Sequence, residues 1–195
     1  MTERRVAALI LAAGESRRMG AANKLLAPYR GKPVLLHVVD ALGAVEFAQR
    51  ILVTGHESAA VRACVGEGRV EFVEAEDYAV GMSASIRAGI CALAASVDAV
   101  LICLGDMPDV RSEDVTAIAD RFLSSSGEPI VVPMHAGRRG NPILWPRRHF
   151  AALAELEADR GARDLLDTFE SEVVRVCVDH PGVLRDIDTP ADLEA

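Results

Sequence analysis

Three basic side chains follow a short apolar run near the start of the chain, and their surroundings indicate phosphate chemistry. The run Val6–Leu11 is rich in branched apolar residues, which is typical of a buried strand that ends in a tight turn. Gly14 permits positive φ angles in that turn, so backbone N–H groups can form a concave anion-binding surface. Arg17, Arg18 and Lys24 then supply positive charge around it. The stretch is therefore predicted to hold a phosphate group.

Neither of the two common phosphate-binding loops accounts for this stretch. A Walker A loop has its lysine directly after the second glycine and before Ser or Thr, whereas Lys24 stands ten residues after Gly14 and precedes Leu25. The Rossmann fingerprint needs three closely spaced glycines, whereas five residues separate Gly14 from Gly20. The sequence thus predicts a phosphate site of another design.

Acidic residues at two later points are candidates for holding a divalent cation. The apolar run Ala99–Leu104 is followed by Gly105 and Asp106, so a predicted strand delivers a carboxylate to the edge of a sheet. Asp186 and Asp188 are two residues apart, and in an extended segment their side chains would face the same way. Carboxylates and phosphate oxygens suit an octahedral Mg²⁺ ion. A turn aspartate or a helix cap is the alternative for Asp106 and Asp188.

Further polar positions lie at the ends of predicted elements. Thr54 and Gly55 end one strand, and a helix begins after Gly81, where free N–H groups with Ser83 and Ser85 could hold a ribose, base or phosphate. Ser83 is equally well explained as the helix cap.

Two arginines between glycines in Gly137–Gly140 indicate a second anion site, for an acceptor substrate. A flexible turn is the alternative. The surrounding segment Met134–Trp145 lacks a helical period, so it is predicted to be an irregular loop or a hairpin.

Strands and helices alternate along the chain. Strands are predicted at Val6–Leu11, Arg50–Thr54, Val70–Glu74, Ala99–Leu104, Ile130–Met134 and Val173–Val178, and helices at Val34–Leu42, Glu57–Val65, Met82–Ala95, Ser112–Leu123 and Phe150–Leu156 followed by Ala162–Thr168. This alternation predicts an α/β fold in three layers, a doubly wound, mostly parallel sheet. No linker or repeat divides the 195 residues, so a single domain over residues 1–195 is expected. Ligands bind beyond the carboxyl ends of such strands, which predicts one shared pocket.

The overall charge restricts the class of partner. A net charge of −8 argues against nucleic acid, because non-specific binding of that polymer depends on Lys and Arg replacing counterions. A single nucleotide is compatible, since Arg17, Arg18 and Lys24 concentrate positive charge locally.

No apolar run approaches the ~18 residues of a membrane span, and the first run is followed by arginines rather than a signal-peptide cleavage site. A cytoplasmic protein without membrane contact is expected.

Five segments resemble, in the same order, the motifs of the nucleotidyltransferases that attach a nucleotide to molybdopterin, within the MobA-like NTP transferase superfamily. The segments are Leu11–Gly20 (LAAGESRRMG) with Lys24–Leu26, then Gly81–Ile86, Leu104–Pro108, Gly137–Pro142 and Asp186–Pro190. Together they cover the chain nearly end to end.

The resemblance implies a Rossmann-like nucleotidyltransferase fold and particular site residues. It implies Arg18, Lys24 and Asp106 as catalytic residues, with Mg²⁺ held by Asp106 and Asp188. With the strand-end positions above, the residues expected to bind nucleotide are Leu11, Ala12, Ala13, Gly14, Lys24, Thr54, Gly55, Gly81, Ser85 and Asp106. Those expected to bind the acceptor are Arg138, Arg139, Gly140 and Asn141.

The implied reaction is attack by the terminal phosphate oxygen of molybdopterin on the α-phosphorus of a nucleoside triphosphate, with loss of pyrophosphate. A phosphate monoester has a second pKa of about 6, so no side-chain base is required. CTP is expected because Ala13 stands where guanylyl-transferring relatives usually have a second glycine. The alternatives are a molybdopterin guanylyltransferase, another small-molecule nucleotidyltransferase, or a non-catalytic cofactor carrier for a recipient molybdenum hydroxylase. Many relatives have His where this chain has Asn141, which leaves the acceptor open.

Overall fold

An eight-stranded sheet forms the middle layer of the protein, whose computed structural model describes residues 4–19, 22–158 and 161–194. The strands are β1 (Val6–Ala12), β2 (Pro28–Tyr29), β3 (Lys32–Pro33), β4 (Gln49–Thr54), β5 (Glu71–Glu74), β6 (Ala99–Leu104), β7 (Ile130–His135), β8 (Arg138–Arg139), β9 (Ile143–Pro146) and β10 (Val173–Cys177). The order in the sheet is β10-β7-β9-β6-β1-β4-β5, and β8 pairs with β7 outside this path. The strands β2 and β3 form a separate hairpin.

Helices cover both faces of the sheet. They are α1 (Val34–Gly43), α2 (Ser58–Val65), α3 (Met82–Cys91), α4 (Ser112–Ser124) and α5 (Phe150–Ala154). Successive side chains of β1 point to opposite faces, as the pleat of a strand requires. Ile10 packs in the core formed with α1, α2 and α4, whereas Leu9 packs in the core formed with α3 and α5. Both side chains are fully buried, so β1 is an interior strand with helices packed on both of its faces.

The expected doubly wound, mostly parallel architecture of a single domain is confirmed. β1 pairs in parallel with β4 and β6, β4 with β5, and β10 with β7. All six predicted strands are present, with ends that differ by at most one residue. Runs of branched apolar residues explain this accuracy for β1, β4, β6 and β7, because strands buried on both faces need them.

The segment Met134–Trp145 differs from its prediction. Its first part is the expected hairpin, in which Met134 of β7 pairs with Arg139 of β8. Its last part is strand β9, which enters the sheet antiparallel between β6 and β7, with Val100 opposite Trp145. All four residues of β9 are buried, so the prediction of an irregular loop was wrong at this end. The short run Ile143–Pro146 is apolar enough for an interior strand. Gly137, Gly140 and Pro142, just before it, favour a turn or loop, so no strand is predicted there.

Two predicted helices were too long. α3 ends at Cys91 rather than Ala95, because the Gln49 amide accepts the N–H of Ala94 (2.9 Å) and donates to the Ala92 carbonyl (3.3 Å). α5 ends at Ala154, and residues 162–165 form a 3₁₀ turn. Among the described residues, no helix has the length and apolar character needed to cross a membrane.

Candidate functional site

A cavity of about 590 Å³ opens at the carboxyl ends of β1 and β6. Ten of the predicted site residues line it, namely Leu11, Ala12, Ala13, Gly14, Arg18, Lys24, Gly81, Ser85, Asp106 and Asp188. They come from the loop after β1, the start of α3, the end of β6 and the C-terminal segment. The structure therefore brings together residues that are up to 177 positions apart in the chain, from Leu11 to Asp188, as the sheet-edge argument expects.

The loop after β1 is folded back on itself and fixes the position of Lys24. Ser16 adopts a positive φ of 54°, and its hydroxyl oxygen accepts the backbone N–H of Lys24 at 3.1 Å. Asn23 accepts the N–H of Leu25 through its side-chain oxygen at 3.0 Å. These two local bonds orient the backbone so that the Lys24 side chain enters the cavity rather than solvent.

Lys24 lies between two carboxylates. Its Nζ is 2.6 Å from Asp106 Oδ2 and 2.9 Å from Asp188 Oδ1. Arg18 forms an ion pair with the other oxygen of Asp188. Arg17 points outward and pairs with Glu15 at 2.6 Å, its side chain 79% exposed. Arg18 and Lys24 therefore belong to one charged network in the cavity, and Arg17 lies beside it.

Burial and the neighbouring opposite charges shift the pKa values of the groups in this network in opposite directions. Burial raises the pKa of Asp106, and Asp186 adds to the rise, while Lys24 opposes it. Asp188 is also desolvated, but Lys24 and Arg18 outweigh that effect and lower its pKa. Burial alone would lower the pKa of Lys24, yet Asp106 and Asp188 raise it above the ordinary value. The lysine therefore stays an ammonium ion at neutral pH, able to pair with phosphate.

Three carboxylates meet at one point of the cavity. One oxygen each of Asp106, Asp186 and Asp188 lies within 4.8 Å of the others. Asp106 Oδ1 is buried and has no hydrogen-bond partner within the described part of the chain. Such a group of hard oxygen donors, one of them unsatisfied, fits Mg²⁺ or Mn²⁺. Asp186 was named from its spacing as a possible ligand, but the predicted metal set contained Asp106 and Asp188 alone.

The C-terminal segment is attached directly to the Asp106 loop. The N–H of Ile187 donates to the carbonyl of Asp106 at 2.9 Å, and the Ile187 side chain is fully buried. The helix cap that was weighed for Asp188 belongs to Thr189 and Asp192, which form a capping box. Asp192 accepts the N–H of Asp188 at 3.1 Å, so this box also orders the backbone next to the site.

A second cavity of about 310 Å³ adjoins the first and shares Leu11, Met82, Leu104 and Asp186 with it. All four predicted acceptor residues, Arg138, Arg139, Gly140 and Asn141, line this cavity. Its floor is apolar, with Ile86, Ile102, Met107, Ile143 and Val183 among its residues. A large apolar body with an anionic group near the arginines would fit this shape.

The backbone of the predicted acceptor residues is firmly held. Gly140 donates to the Pro133 carbonyl and Asn141 to the Val183 carbonyl, both at 2.8 Å. Arg139 pairs with Asp167 (2.9 Å) and Glu170 (2.7 Å), which turns part of its charge away from the cavity. These contacts give the segment a defined backbone conformation rather than that of a flexible turn, and its part in binding the acceptor stays a prediction.

Thr54 and Gly55 lie behind the larger cavity rather than on its wall. Thr54 is fully buried, and its hydroxyl donates to the Val73 carbonyl at 3.3 Å. A side chain at Gly55 would come within 2.9 Å of the Ala13 methyl, so Gly55 supports that turn from behind. The part of both residues in nucleotide binding stays a prediction.

Two further observations concern the start of α3. Ser83 neither caps the helix nor faces the cavity, because it is fully buried and its hydroxyl donates to the Ala158 carbonyl. The stretch Tyr78–Val80 also lines the larger cavity, although it is not among the site residues predicted from the sequence. Its only signal in the sequence is its position directly before Gly81.

Comparison with known proteins identifies the family to which the chain belongs. Residues 8–176 match the MobA-like NTP transferase domain, and the chain belongs to this family of nucleotidyltransferases. The resemblance seen in the sequence motifs is thereby confirmed at the level of the family.

Individual relatives show how far the similarity extends. Rv0371c from Mycobacterium tuberculosis H37Rv superposes with a TM-score of 0.88 at 31% identity, over 100% of this chain and 97% of that one. A structure of Rv0371C in complex with manganese superposes with a TM-score of 0.82 at 28% identity, over 97% of this chain and 96% of that one. The bifunctional protein GlmU of Sinorhizobium fredii is 36% identical over 134 residues, which is 67% of this chain and 28% of GlmU. The chain thus spans less than a third of this curated relative.

A more distant structure supports the fold alone. The molybdopterin-guanine dinucleotide biosynthesis protein A of Archaeoglobus fulgidus has a TM-score of 0.67 at 18% identity, covering 96% of this chain and 95% of that one.

Proposed function

We propose that this protein transfers CMP from CTP to molybdopterin, releasing pyrophosphate. The observation that carries the proposal is the pair of adjoining cavities. One contains a network of cations and carboxylates suited to a triphosphate, and the other has an apolar floor and arginines suited to a large anionic acceptor. The two meet at Asp186, so two bound substrates would meet there.

The reaction needs positioning and charge neutralisation rather than a base. The acceptor phosphate is largely deprotonated at neutral pH, so its oxygen can attack the α-phosphorus directly. A new P–O bond forms as the bond to the bridging α–β oxygen breaks, and pyrophosphate leaves with the electron pair. Lys24 and Arg18 would exchange carboxylate partners for phosphate oxygens and stabilise the charge that develops.

Divalent metal would be held by Asp106 and Asp188, with Asp186 as a third donor. When bound, Mg²⁺ would neutralise phosphate charge and help align the triphosphate. The unsatisfied Oδ1 of Asp106 supports this assignment, because a buried carboxylate oxygen without a partner is costly. The manganese complex of Rv0371C, a homologous structure, also supports it.

The choice of CTP rests on Ala13, and that of molybdopterin on the family motifs Gly137–Pro142 and Asp186–Pro190. GTP is the second candidate, because the family resemblance leaves a molybdopterin guanylyltransferase as the alternative. Delivery of the product to a molybdenum hydroxylase and a cytoplasmic location stay predictions.

A nucleotide panel tests the proposal. Thermal unfolding is measured with CTP, GTP, ATP or UTP in the presence of Mg²⁺, followed by pyrophosphate release after molybdopterin is added. CTP at 100 times its Kd should stabilise the native state by about 2.7 kcal/mol. Stabilisation by GTP alone would replace cytidylyl with guanylyl transfer. Tight binding of finished cofactor without pyrophosphate release would support a carrier instead.

A further inference from the structure

Three carboxylates repel one another, so something outside the cavity must hold them together. Asp106 comes from the end of β6, while Asp186 and Asp188 come from a segment about 80 residues later in the chain. Their oxygens nevertheless lie within 4.8 Å. Lys24 relieves part of the repulsion, but it would be drawn to phosphate when a nucleotide binds. The alignment of the two segments therefore depends on contacts that the reaction does not disturb, of which the backbone bond from Ile187 to Asp106 is one.

Asp109 makes such a contact. Its carboxylate accepts the hydroxyl of Tyr29, at 3.1 Å from each oxygen, and pairs with Arg30 Nη1 at 2.7 Å and Arg185 Nη1 at 3.1 Å. We call Asp109, Tyr29, Arg30 and Arg185 the Asp109 cluster. None of the four lines either cavity. The cluster joins the β2–β3 hairpin, the loop after β6 and the C-terminal segment.

The geometry of the cluster places it next to the metal ligands along both segments. Asp109 is three residues after Asp106, and Arg185 directly precedes Asp186. Arg185 also donates to the Asp192 carbonyl at 3.3 Å, within the turn whose capping box orders the backbone at Asp188. A displacement of Asp109 would thus move Asp106, and a displacement of Arg185 would move Asp186 and Asp188.

Packing around the cluster leaves it little freedom. Tyr29 is 1% exposed and shares a small apolar core with Val34 and Ile187, the residue between the two aspartates. A Cβ at Gly182 would lie 2.1 Å from the Asp109 carbonyl oxygen, so the two backbones touch and only glycine fits there. The Tyr29 hydroxyl is therefore a rigid donor to Asp109.

We infer that Asp109 is a positioning residue for the metal site, holding Asp106 against Asp186 and Asp188 without touching substrate. This inference rests on the proposed metal-dependent transfer. Known metal sites set the scale, because loss of a hydrogen-bond partner of a ligand costs about 10- to 100-fold in metal affinity there, and Asp109 acts one contact further out, through the residues next to the ligands.

The test is binding of Mn²⁺ alone, followed by electron paramagnetic resonance, in wild type, Asp109→Asn and Tyr29→Phe. Asp109→Asn should weaken Mn²⁺ binding at least tenfold. Tyr29→Phe, which removes one donor and keeps the packing, should weaken it less. Glu172→Gln is the matched control, since Glu172 also pairs with two basic side chains, Arg148 and His149, but lines neither cavity and lies directly before β10, outside the three segments that the Asp109 cluster joins. The control should bind Mn²⁺ like wild type.

Rescue by metal separates positioning from general stability. In the transfer assay, excess Mn²⁺ should restore most of kcat in Asp109→Asn, whereas the KM for the nucleotide should change little. Wild-type Mn²⁺ affinity in both Asp109→Asn and Tyr29→Phe would overturn the inference, even if both unfold at lower temperature. Should Asp109→Asn fail to fold, Tyr29→Phe decides alone. Failure of the proposed function would appear differently, as wild type that binds Mn²⁺ but releases no pyrophosphate.

Discussion

The two cavities share a wall but differ in how their charges are held. In the larger cavity, the cations Lys24 and Arg18 pair with carboxylates that also face the cavity. In the smaller one, Arg139 pairs with Asp167 and Glu170, neither of which lines it. The larger cavity can therefore exchange internal partners for phosphate and metal, whereas the smaller cavity keeps its ion pairs and presents a fixed shape. Catalysis should depend on the first and acceptor choice on the second.

The largest effect is expected for Asp106→Asn. The substitution removes a metal-binding charge at nearly constant volume, and transfer should fall by about 10²- to 10³-fold, as for other preorganised electrostatic groups. Because Asp106 is buried and its pKa is raised, the neutral side chain should leave the fold intact. Pyrophosphate release measures the rate, and thermal unfolding measures the fold. Full activity would mean that Asp106 is only a turn residue. The larger cavity would then no longer be the one on which catalysis depends.

A smaller effect, confined to the acceptor, is expected for Arg138→Ala. Arg138 is exposed at the smaller cavity and has no ion pair within the described residues, so its charge is available to an anionic acceptor. A hydrogen bond to a charged group contributes about 1.5–3 kcal/mol, and exposure puts this one at the low end. The KM for molybdopterin should rise about tenfold, with the KM for the nucleotide unchanged.

Arg121→Ala is the control for this substitution. Arg121 lies on α4, is exposed like Arg138, has no ion pair within the described residues and lines neither cavity, so its loss should leave both KM values unchanged. A rise in the nucleotide KM of Arg138→Ala would contradict the division of labour between the cavities. An unchanged acceptor KM would place the acceptor elsewhere.

The same contrast explains what the sequence could predict. The half of the sheet around β1, β4 and β6 has long buried strands with loops at their carboxyl ends, so both the strands and Asp106 could be located. In the other half, β7 and β10 could also be located but β9 could not, because a four-residue strand after Gly140 and Pro142 has no period of its own. Its place between β6 and β7 is decided by tertiary pairing.

The packing of Asp109 and the close approach of Asp186 to Asp106 could not be predicted in detail, although the spacing of Asp186 and Asp188 indicated that both could reach one site. Both depend on how the C-terminal segment folds back over the β6 loop, through the bond from Ile187 to Asp106 and the burial of Ile187. A segment without a strand or an α-helix carries no periodic signal, so Asp188 could be named only from its spacing to Asp186 and from the motif resemblance.

The smallest effect is expected for Ala13→Gly, which tests base selection in the larger cavity. The Ala13 side chain is 2% exposed and lies in the core on the α3 face, against Gly55 and near Tyr78. Its methyl group therefore supports the wall formed by Tyr78 rather than projecting at a base. A methyl group in direct contact with a ligand is worth about 1–3 kcal/mol, or roughly 10- to 200-fold. An indirect effect should be below tenfold, in favour of GTP over CTP.

Ala12→Gly provides a matched control, because Ala12 is equally buried but packs in the core on the α1 face. With CTP and GTP competing in one reaction with molybdopterin and Mg²⁺, Ala13→Gly should change the ratio of kcat/KM values and Ala12→Gly should not. Equal shifts in both variants would attribute the change to a looser turn rather than to the wall at Tyr78. Preference of wild type for GTP would end the cytidylyl assignment, while nucleotidyl transfer at Asp106 and Lys24 would stand.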